Sequence, residues 1–355
     1  MRFHVVGLPH TQAMAEFSAC AFTNKVRGFV RMMVGLGHQV FLYAGEITDA
    51  PVTELITCIS ESNRQLMVGK GHYTEAPWNP VAWRSFNNTA IREIQRRIEP
   101  GDFICLIGGR VQKPIADAFP SFPSVEFGVG YGGFFSPYKV FESYAWMHTC
   151  YGTGDGNASA RNGQWYDAVI PGYLDPAEFP MGTPDISYFL FMGRLTQRKG
   201  FRVAVEACKV LGAPLFTAGP GVPPDPKMHL GVLGPTEKAK WLGGATALYA
   251  PTEYIEPFGN VVIEANACGT PVITTDWGAF TETVLQGKTG FRCRTLGEFV
   301  EAGRKAPTLS RLDCRQHVLD NYTLEKIGPR YEAYFKRLST VYGGKGWYDL
   351  SPGTI

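Results

Sequence analysis

Short apolar runs alternate with amphipathic stretches along the first half of the chain. Residues 3–8 (FHVVGL) form a β-branched run that predicts a first strand, and the apolar spacing over residues 24–36 predicts a helix. Residues 39–45 (QVFLYAG) then predict a second strand. Strands that alternate with helices imply a mostly parallel sheet, because parallel strands need crossover connections.

The same alternation continues along the rest of the chain. In the first half it predicts strands at residues 102–108 and 124–130, and helices at residues 87–98, 112–118 and 139–148. Residues 165–180 are rich in proline and predict an inter-domain linker. In the second half the predicted strands are residues 186–193, 214–219, 230–234, 247–251, 270–275 and 290–293. The predicted helices there begin at residues 201, 236, 259, 296 and 324.

The composition fits a chain with two globular α/β domains. Of its 355 residues, 45% are hydrophobic and 19% are charged, and the formal net charge of +2 argues against a general polyanion binder such as a nucleic-acid-binding protein. Every apolar run is too short to span a bilayer, and the start of the chain is typical of a strand and not of a secretory leader. We therefore expect a cytoplasmic protein.

The cysteines and histidines form no metal-binding pattern. The sequence has eight cysteines and seven histidines but no CxxC pair and no HExxH motif. Cys105, Cys208 and Cys268 lie in apolar or helical segments, where a free thiol behaves as a small hydrophobic side chain. We expect no metal site.

The densest chemical signal is the segment EPFGNVVIE, which runs from Glu256 to Glu264 and opens a predicted helix. Gly259 lets a ligand approach the first turn closely, and the free N–H groups near Gly259 and Asn260 favour an anion together with the helix dipole. Glu264, about one turn further in, can accept hydrogen bonds from two ribose hydroxyls, and Glu256 can orient a sugar. The alternative is that Glu264 is a solvated helical residue and that Glu256 only complements the helix dipole.

A second signal is the basic loop FMGRLTQRKG, which follows the strand that ends at Gly193. Arg194 can bind two phosphate oxygens at once, and Lys199 supplies a movable point charge, so both can converge on a diphosphate. The alternative is that the loop is simply a solvated basic turn.

From residue 165 to residue 306 the chain resembles the donor half of the GT-B glycosyltransferases, specifically the retaining enzymes of family 4. The similar pieces follow one another in the family's order: VIPGYLDPAEF, FMGRLTQRKGF, FTAGPG, HLGVLGPTEKAKWL, YAPTEYIEPFGNVVIEANACGTPVITTDWGAFTETV and GKTGF. The resemblance implies an α/β fold with two Rossmann-like, doubly wound domains that face each other across a cleft. It implies an acceptor domain over residues 1–170, a donor domain over residues 171–325, and a C-terminal helix and tail over residues 326–355 that pack back on the first domain.

The resemblance also implies roles for single residues. Arg194 and Lys199 would bind the diphosphate, Glu264 the ribose, and Glu256 the transferred sugar, so that Glu256, Arg194 and Lys199 form the catalytic set. The further donor-binding positions that it implies are Gly193, Leu233, Gly234, Phe258, Gly259 and Asn260. Leu233 and Gly234 would flank the base.

The first half departs from the family pattern. The family's Gly-Gly turn after the first strand is replaced by a turn that ends at His10, and its histidine after the strand at residues 124–130 is replaced by Gly130 and Tyr131. The sequence therefore has no histidine at the position where the family often carries one. Residues that can line the acceptor side of the cleft are His10, Glu126, Tyr131 and His148.

Two other features have a less specific interpretation. Residues 128–133 satisfy G-x-G-x-x-G, but FFSP follows where a dinucleotide fold needs a helix, so we interpret them as a loop that lines the cleft. Two predicted helices carry basic residues that can touch an anionic membrane weakly, with a solvated helix face as the alternative. These residues are Lys25, Arg27, Arg31, Arg92, Arg96 and Arg97.

The predicted reaction is the transfer of a glycosyl unit, with retention, from a nucleoside-diphosphate sugar to a hydroxyl of a glycan, lipid or other acceptor. A UDP-sugar is favoured and a GDP-sugar is the alternative, and no cofactor or metal is expected. The rival hypotheses are an epimerase or phosphorylase-like enzyme of the same fold and an inactive module that binds nucleotide sugars. The sequence does not indicate an oligomeric state.

Overall fold

The computed structural model describes residues 1–69, 72–154, 162–184, 187–344 and 346. The chain forms two compact units. The first comprises Met1–Glu142, Met147–Pro171 and Leu324–Ile355, and the second comprises Ser143–Trp146 and Gly172–Thr323. Ile186 of a predicted strand and residues 347–355 of the predicted tail lie outside the described residues.

The first unit is built on a sheet of seven parallel strands in the order β3-β2-β1-β4-β5-β6-β7. The strands are β1 (Arg2–Val6), β2 (Gln39–Ala44), β3 (Glu54–Thr57), β4 (Phe103–Leu106), β5 (Ser124–Val129), β6 (Tyr138–Phe141) and β7 (Ala168–Val169). Its first helices are α1 (Ala21–Gly35), α2 (Glu61–Val68), α3 (Pro80–Gln95) and α4 (Lys113–Ala118), and α5 (Tyr144–Thr153) follows β6. The continuous apolar character of the central strands fits a sheet that is covered on both faces.

The second unit is built on a sheet of five parallel strands in the order β12-β11-β10-β8-β9. The strands are β8 (Phe189–Met192), β9 (Leu215–Ala218), β10 (Ala247–Ala250), β11 (Val272–Thr275) and β12 (Gly290–Cys293). The helices are α6 (Phe201–Leu211), α7 (Pro235–Gly244), α8 (Asn260–Ala267), α9 (Phe280–Thr283), α10 (Leu296–Lys305) and α11 (Arg311–Asn321). Two parallel sheets with crossover helices confirm the predicted α/β class.

The last helix, α12 (Leu324–Gly343), completes the core of the first unit. It packs against α1. The ring of Phe335 lies 4.7 Å from that of Phe3 and 4.9 Å from that of Phe103, measured between centroids. Because Phe3 and Phe103 belong to the neighbouring central strands β1 and β4, α12 covers the middle of this sheet.

Helix α8 is buried along almost its whole length in the second unit. Every residue from Val262 to Ala267 is buried. Its C-terminal carbonyl groups accept hydrogen bonds from two arginines of α11: Arg315 donates to the carbonyl of Ala267, and Arg311 donates to that of Cys268 at 3.2 Å. Donors are needed there because the last carbonyl groups of a helix have no partner within the helix.

Two element predictions are wrong in an informative way. The helix expected over residues 139–148 is the strand β6 followed by α5, because the residues of β6 are all buried beside β5 and α5 begins only at Tyr144. The strand expected over residues 230–234 is not formed. In its place a single bridge joins Thr217 to His229. The sequence pattern also missed β3, α2, α9 and α11.

The basic residues of α1 do not form a membrane-facing surface, which corrects that interpretation for Lys25 and Arg27. Both are buried: Lys25 Nζ lies 2.6 Å from Glu142 Oε2, and Arg27 Nε lies 2.8 Å from Asp49 Oδ1. At the C-terminal end of α3 and just beyond it, Arg92, Arg96 and Arg97 all form ion pairs with Glu93. In the described part of the chain, no helix is both long enough and apolar enough to cross a membrane.

All eight cysteines are free and buried, as expected for Cys105, Cys208 and Cys268. Burial raises the pKa of the thiols of Cys208 and Cys268 to about 12. These thiols are therefore protonated at neutral pH and act as packing groups.

We expect Arg311→Ala to destabilise the second unit. The guanidinium of Arg311 also donates to the carbonyl groups of Ala245 and Gly182, at 3.1 and 3.4 Å. The substitution leaves several buried acceptors without a donor and should lower the free energy of unfolding by about 3 kcal/mol. Arg304→Ala is the matched control, because Arg304 forms only an exposed ion pair with Glu301. Equal urea-unfolding midpoints for the two variants would contradict the assignment.

Candidate functional site

The N-terminal end of α8, in the second unit, is where the sequence predicts an anion site. Gly259 has a φ of 82°, in the left-handed region, and a Cβ at this position would lie 2.7 Å from Cε1 of Phe280, so only glycine fits here. Among the described residues, no side chain caps the helix. The first-turn N–H groups of α8, at Asn260 and Val261, are therefore available to an anion, and the helix dipole favours negative charge there.

The predicted residues Lys199 and Glu256 lie together beside this helix end. Lys199 Nζ is 2.7 Å from Glu256 Oε2, and it also lies 5.0 Å from the ring centroid of Tyr254. Burial by itself lowers the pKa of the Lys199 ammonium, but the Glu256 carboxylate and Tyr254 outweigh burial and the pKa is raised. Lys199 is therefore a firmly charged cation next to a buried carboxylate.

Close backbone contacts hold these two residues in place. A Cβ on Gly200, whose φ is 72°, would lie 1.8 Å from the carbonyl oxygen of Pro251, so the backbone after Lys199 touches the backbone that leads to Glu256. The Glu253 amide also donates to the carbonyl of Arg198 at 2.9 Å. The basic loop and the loop before α8 thus form one packed layer.

The loop between β11 and α9, at residues 276–279, also contacts the backbone of Glu256. The amide of Ala279 donates to the Glu256 carbonyl at 3.0 Å. A Cβ on Gly278, whose φ is 62°, would lie 2.8 Å from the Glu256 amide nitrogen. The indole of Trp277 donates to the Tyr254 carbonyl at 3.3 Å.

Glu264 is buried in α8 and forms an ion pair that the sequence analysis missed. It is only 4% exposed, and its Oε2 lies 2.7 Å from Nζ of Lys238 on α7. Lys238 lies one turn before the buried Leu242 on α7, so the sequence places Lys238 at the edge of the apolar face of this helix. This position is the only feature of the sequence that could have pointed to Lys238 as the partner of a buried group. Tyr254, the partner of Lys199, was also missed.

The other predicted donor-site residues are placed around these two pairs. Arg194 is exposed, and its side chain has no ion pair or hydrogen bond among the described residues. Gly193 makes a close backbone contact, since a Cβ on Gly219 would lie 2.3 Å from the Gly193 carbonyl oxygen. Leu233 is half-buried, and the exposed Gly234 precedes the first residue of α7.

The side chain of Phe258 is part of the core. It is 2% exposed, and its ring centroid lies 5.8 Å from that of Tyr322. Only the backbone of Phe258 is therefore available to a ligand. The donor-binding role that the resemblance implies for Phe258 also uses its backbone amide. The side-chain oxygen of Asn260 lies near Gly172. A Cβ atom on Gly172 would be 2.9 Å from this oxygen.

In the first unit, Glu126 and Tyr131 lie together and stabilise a loop. Buried Glu126 accepts hydrogen bonds from the Tyr131 hydroxyl at 3.1 Å and from the amides of Phe135 and Ser136 at 2.7 and 2.8 Å. Burial raises the pKa of the Glu126 carboxyl, although these hydrogen bonds oppose the rise. Residues 128–129 thus end β5, residues 130–133 follow it without opening a helix, and the next element is β6.

The two candidate histidines of the first unit differ in environment. His10 Nε2 lies 3.6 Å from Cys20 Sγ, whereas His148 is exposed on α5. Over the described residues, no group of three or more His, Cys, Asp or Glu side chains is arranged to hold a metal ion.

Comparison with known families gives a match to the second unit. The family described as "Glycosyl transferases group 1" matches residues 187–306. This range contains both carboxylate–lysine pairs and the open end of α8. The match confirms the resemblance to family 4 that was read from the motifs.

Curated relatives match part of the chain. The glycogen synthase of Mycobacterium tuberculosis (strain CDC 1551 / Oshkosh) is 33% identical over 147 residues, which are 35% of this chain and 35% of the relative. The phosphatidyl-myo-inositol mannosyltransferase of Propionibacterium freudenreichii subsp. shermanii is 30% identical over 161 residues, which are 41% of this chain and 42% of the relative. The chain thus spans well under half the length of these relatives.

Solved structures match nearly the whole chain in fold. AviGT4, a glycosyltransferase involved in avilamycin A biosynthesis, has a TM-score of 0.67 and 20% identity, covering 96% of this chain and 98% of its own. HepE of Anabaena, solved in complex with UDP and glucose, has a TM-score of 0.63 and 14% identity, covering 95% and 99%. The fold is therefore that of the GT-B glycosyltransferases, as predicted.

The environment of His10 predicts a pH dependence of stability. Burial, with a smaller contribution from Arg64, lowers the pKa of its imidazole from 6.5 to about 4. The unfolded chain therefore binds more protons than the folded chain between these values, so the stability contributed by His10 is present above pH 6.5 and is lost as the pH falls towards 4.

The measurement is urea unfolding of the parent and of His10→Asn across this pH range. The variant should lose less stability on acidification than the parent. An NMR titration of His10 with a midpoint near 6.5 would contradict the prediction.

Proposed function

We propose that this chain, whose residues 187–306 match the group 1 glycosyl transferases, moves a hexosyl unit from a nucleoside-diphosphate sugar to a hydroxyl group, with retention of configuration. The observation that carries the proposal is the uncapped N-terminal end of α8 beside Lys199 and Glu256, with Glu264 further along the same helix. This arrangement offers an anion site between two carboxylates that can bind hydroxyl groups.

The diphosphate is assigned to the helix end and the basic loop. The N–H groups of Asn260 and Val261 face an anion at the first turn, Lys199 adds a fixed charge, and the exposed Arg194 is free to bind two oxygens. Each such donor that meets charge developing on the leaving group stabilises the transition state by ~3 kcal/mol. These groups take the place that a metal ion occupies in other transferases.

The transferred sugar is assigned to Glu256. As the bond to the diphosphate breaks, positive charge grows on the sugar ring, and a nearby carboxylate stabilises that charge. Lys199 neutralises Glu256 in the free protein and, once donor is bound, lies between this carboxylate and the phosphates. The leaving phosphate oxygen can take the proton of the acceptor hydroxyl on the same face, so no protein base is required.

The ribose is assigned to Glu264 and the base to the segment with Leu233 and Gly234. A UDP-sugar is the favoured donor, supported by the UDP and glucose held by HepE of Anabaena, and a GDP-sugar is the alternative. Acceptor recognition is assigned to residues 1–170, donor recognition to residues 171–325, and the acceptor is a hydroxyl of a glycan, lipid or other molecule.

A turnover assay tests the proposal. UDP- and GDP-sugars are incubated with the protein with and without a panel of sugar and lipid acceptors, and released nucleotide and new glycosides are measured. Acceptor-dependent glycoside formation is expected. Nucleotide release with free sugar and no need for an acceptor would favour an epimerase, and binding without turnover would favour an inactive module.

We expect the product to keep the anomeric configuration of the donor. The expectation rests on the E-x7-E spacing of Glu256 and Glu264 and on proton transfer to the leaving phosphate. NMR of freshly formed product, recorded before mutarotation, measures the configuration. An inverted linkage would overturn the retaining mechanism but not the donor site.

The two glutamates should respond differently to substitution. The ribose does not change during the reaction, so Glu264→Gln should mainly weaken binding of donor and free nucleotide, by ~1.5–3 kcal/mol. The sugar gains charge in the transition state, so Glu256→Gln should lower kcat more than it weakens nucleotide binding.

Calorimetry with the nucleoside diphosphate and steady-state kinetics on both variants measure these effects. Glu253→Gln is the matched control, because Glu253 is an exposed acid in the same loop. Loss of nucleotide affinity in Glu256→Gln and not in Glu264→Gln would reverse the two roles.

A further inference from the structure

Lys238 is the cation that matches the buried carboxylate of Glu264. Its Nζ lies 2.7 Å from Glu264 Oε2, and its side chain is only 20% exposed. Among the described residues, Lys238 is the only cation within ion-pair distance of this carboxylate. The family resemblance assigned no role to Lys238, so the pair is a feature of this chain that the motifs do not explain.

The burial of Glu264 makes its partner important. A carboxylate that is 4% exposed is costly to keep ionised without a cation beside it. Lys238 removes this penalty while leaving carboxylate lone pairs for other donors.

The position of Lys238 is fixed by its helix and by its neighbours. It belongs to α7, whose Ala239 and Leu242 are buried. Its Nζ lies 5.7 Å from the ring centroid of Phe179. An ammonium in this position attracts both the aromatic ring and the carboxylate, and this charge attraction restrains the carboxylate in turn.

We propose that Lys238 is a positioning residue that orients Glu264 toward the ribose diol and so sets the preference of the site for ribonucleotides over 2′-deoxyribonucleotides. The inference rests on the proposed function, because it needs a nucleotide at α8. It deepens that function by making ribose selectivity a property of the pair and not of Glu264 alone.

The test measures nucleotide selectivity by calorimetry. UDP and 2′-deoxy-UDP are titrated into the full chain and into Lys238→Met, Lys238→Arg and Glu264→Gln. Lys240→Met is the matched control, because Lys240 is an exposed lysine on the same helix. The unmodified protein and Lys240→Met should both prefer UDP.

Lys238→Met should bind UDP roughly tenfold or more weakly, because it leaves Glu264 buried without its cation. Its affinity for 2′-deoxy-UDP should fall much less, so that the preference collapses as it does in Glu264→Gln. Lys238→Arg should keep most of the preference. In turnover, the donor KM should rise more than kcat falls, because the ribose contact is the same in ground and transition states.

A double variant separates positioning from a general structural effect. Lys238→Met combined with Glu264→Gln should be no less selective than Glu264→Gln alone, since both changes remove one interaction. If Lys238→Met does not fold, Lys238→Gln carries the same test, because it removes the positive charge but keeps a polar side chain.

The outcomes distinguish this inference from the function on which it rests. If Lys238→Met keeps the UDP preference of the unmodified protein, the positioning role is overturned and the glycosyltransferase proposal stands. If the unmodified protein binds neither UDP nor GDP, both are overturned.

Discussion

The second unit depends on how the two ends of the buried helix α8 are satisfied. The C-terminal carbonyl groups accept hydrogen bonds from Arg311 and Arg315, which α11 brings from a distant part of the sequence. The N-terminal end receives no side-chain cap, because Gly259 precedes it and Phe280 excludes any larger residue there. Cations at one end and unpaired N–H groups at the other follow the helix dipole, so the packing that stabilises the helix also leaves its positive end open to an anion.

The carboxylates on either side of that end are both paired with lysines from other elements. Glu256 meets Lys199 of the basic loop, and Glu264 meets Lys238 of α7. Each pair costs desolvation energy, so neither is an obvious source of stability. Their shared effect is electrostatic, because each lysine offsets the negative charge of its carboxylate. The tight backbone contact at Gly200 is one reason why the first pair is so well defined.

Much of the fold was predictable from periodicity, and the ion pairs were not. The helix predicted from residue 259 and the strands at residues 247–251 and 270–275 are present because short apolar runs with glycine boundaries are unambiguous. A single helix was predicted over residues 139–148 because no glycine or proline separates β6 from the start of α5. Lys238 contacts a carboxylate and Arg311 contacts main-chain carbonyl groups, and in both cases the partners are far apart in the sequence. Such contacts produce no local pattern in the sequence. The open end of α8 was the exception, because a glycine before a helix is a local signal.

Because all eight thiols are buried, their reactivity can report on local opening of each unit. Four of the cysteines, Cys20, Cys58, Cys105 and Cys150, belong to the first unit, and the other four belong to the second. An alkylating reagent reaches a buried thiol only when the surrounding structure opens, so the rate of modification at each site follows the local opening equilibrium. Mass spectrometry of the labelled peptides can therefore measure local opening in each of the two units separately, without any substitution. A ligand bound at the N-terminal end of α8 should slow the labelling of Cys268, at the other end of that helix, more than the labelling of Cys105.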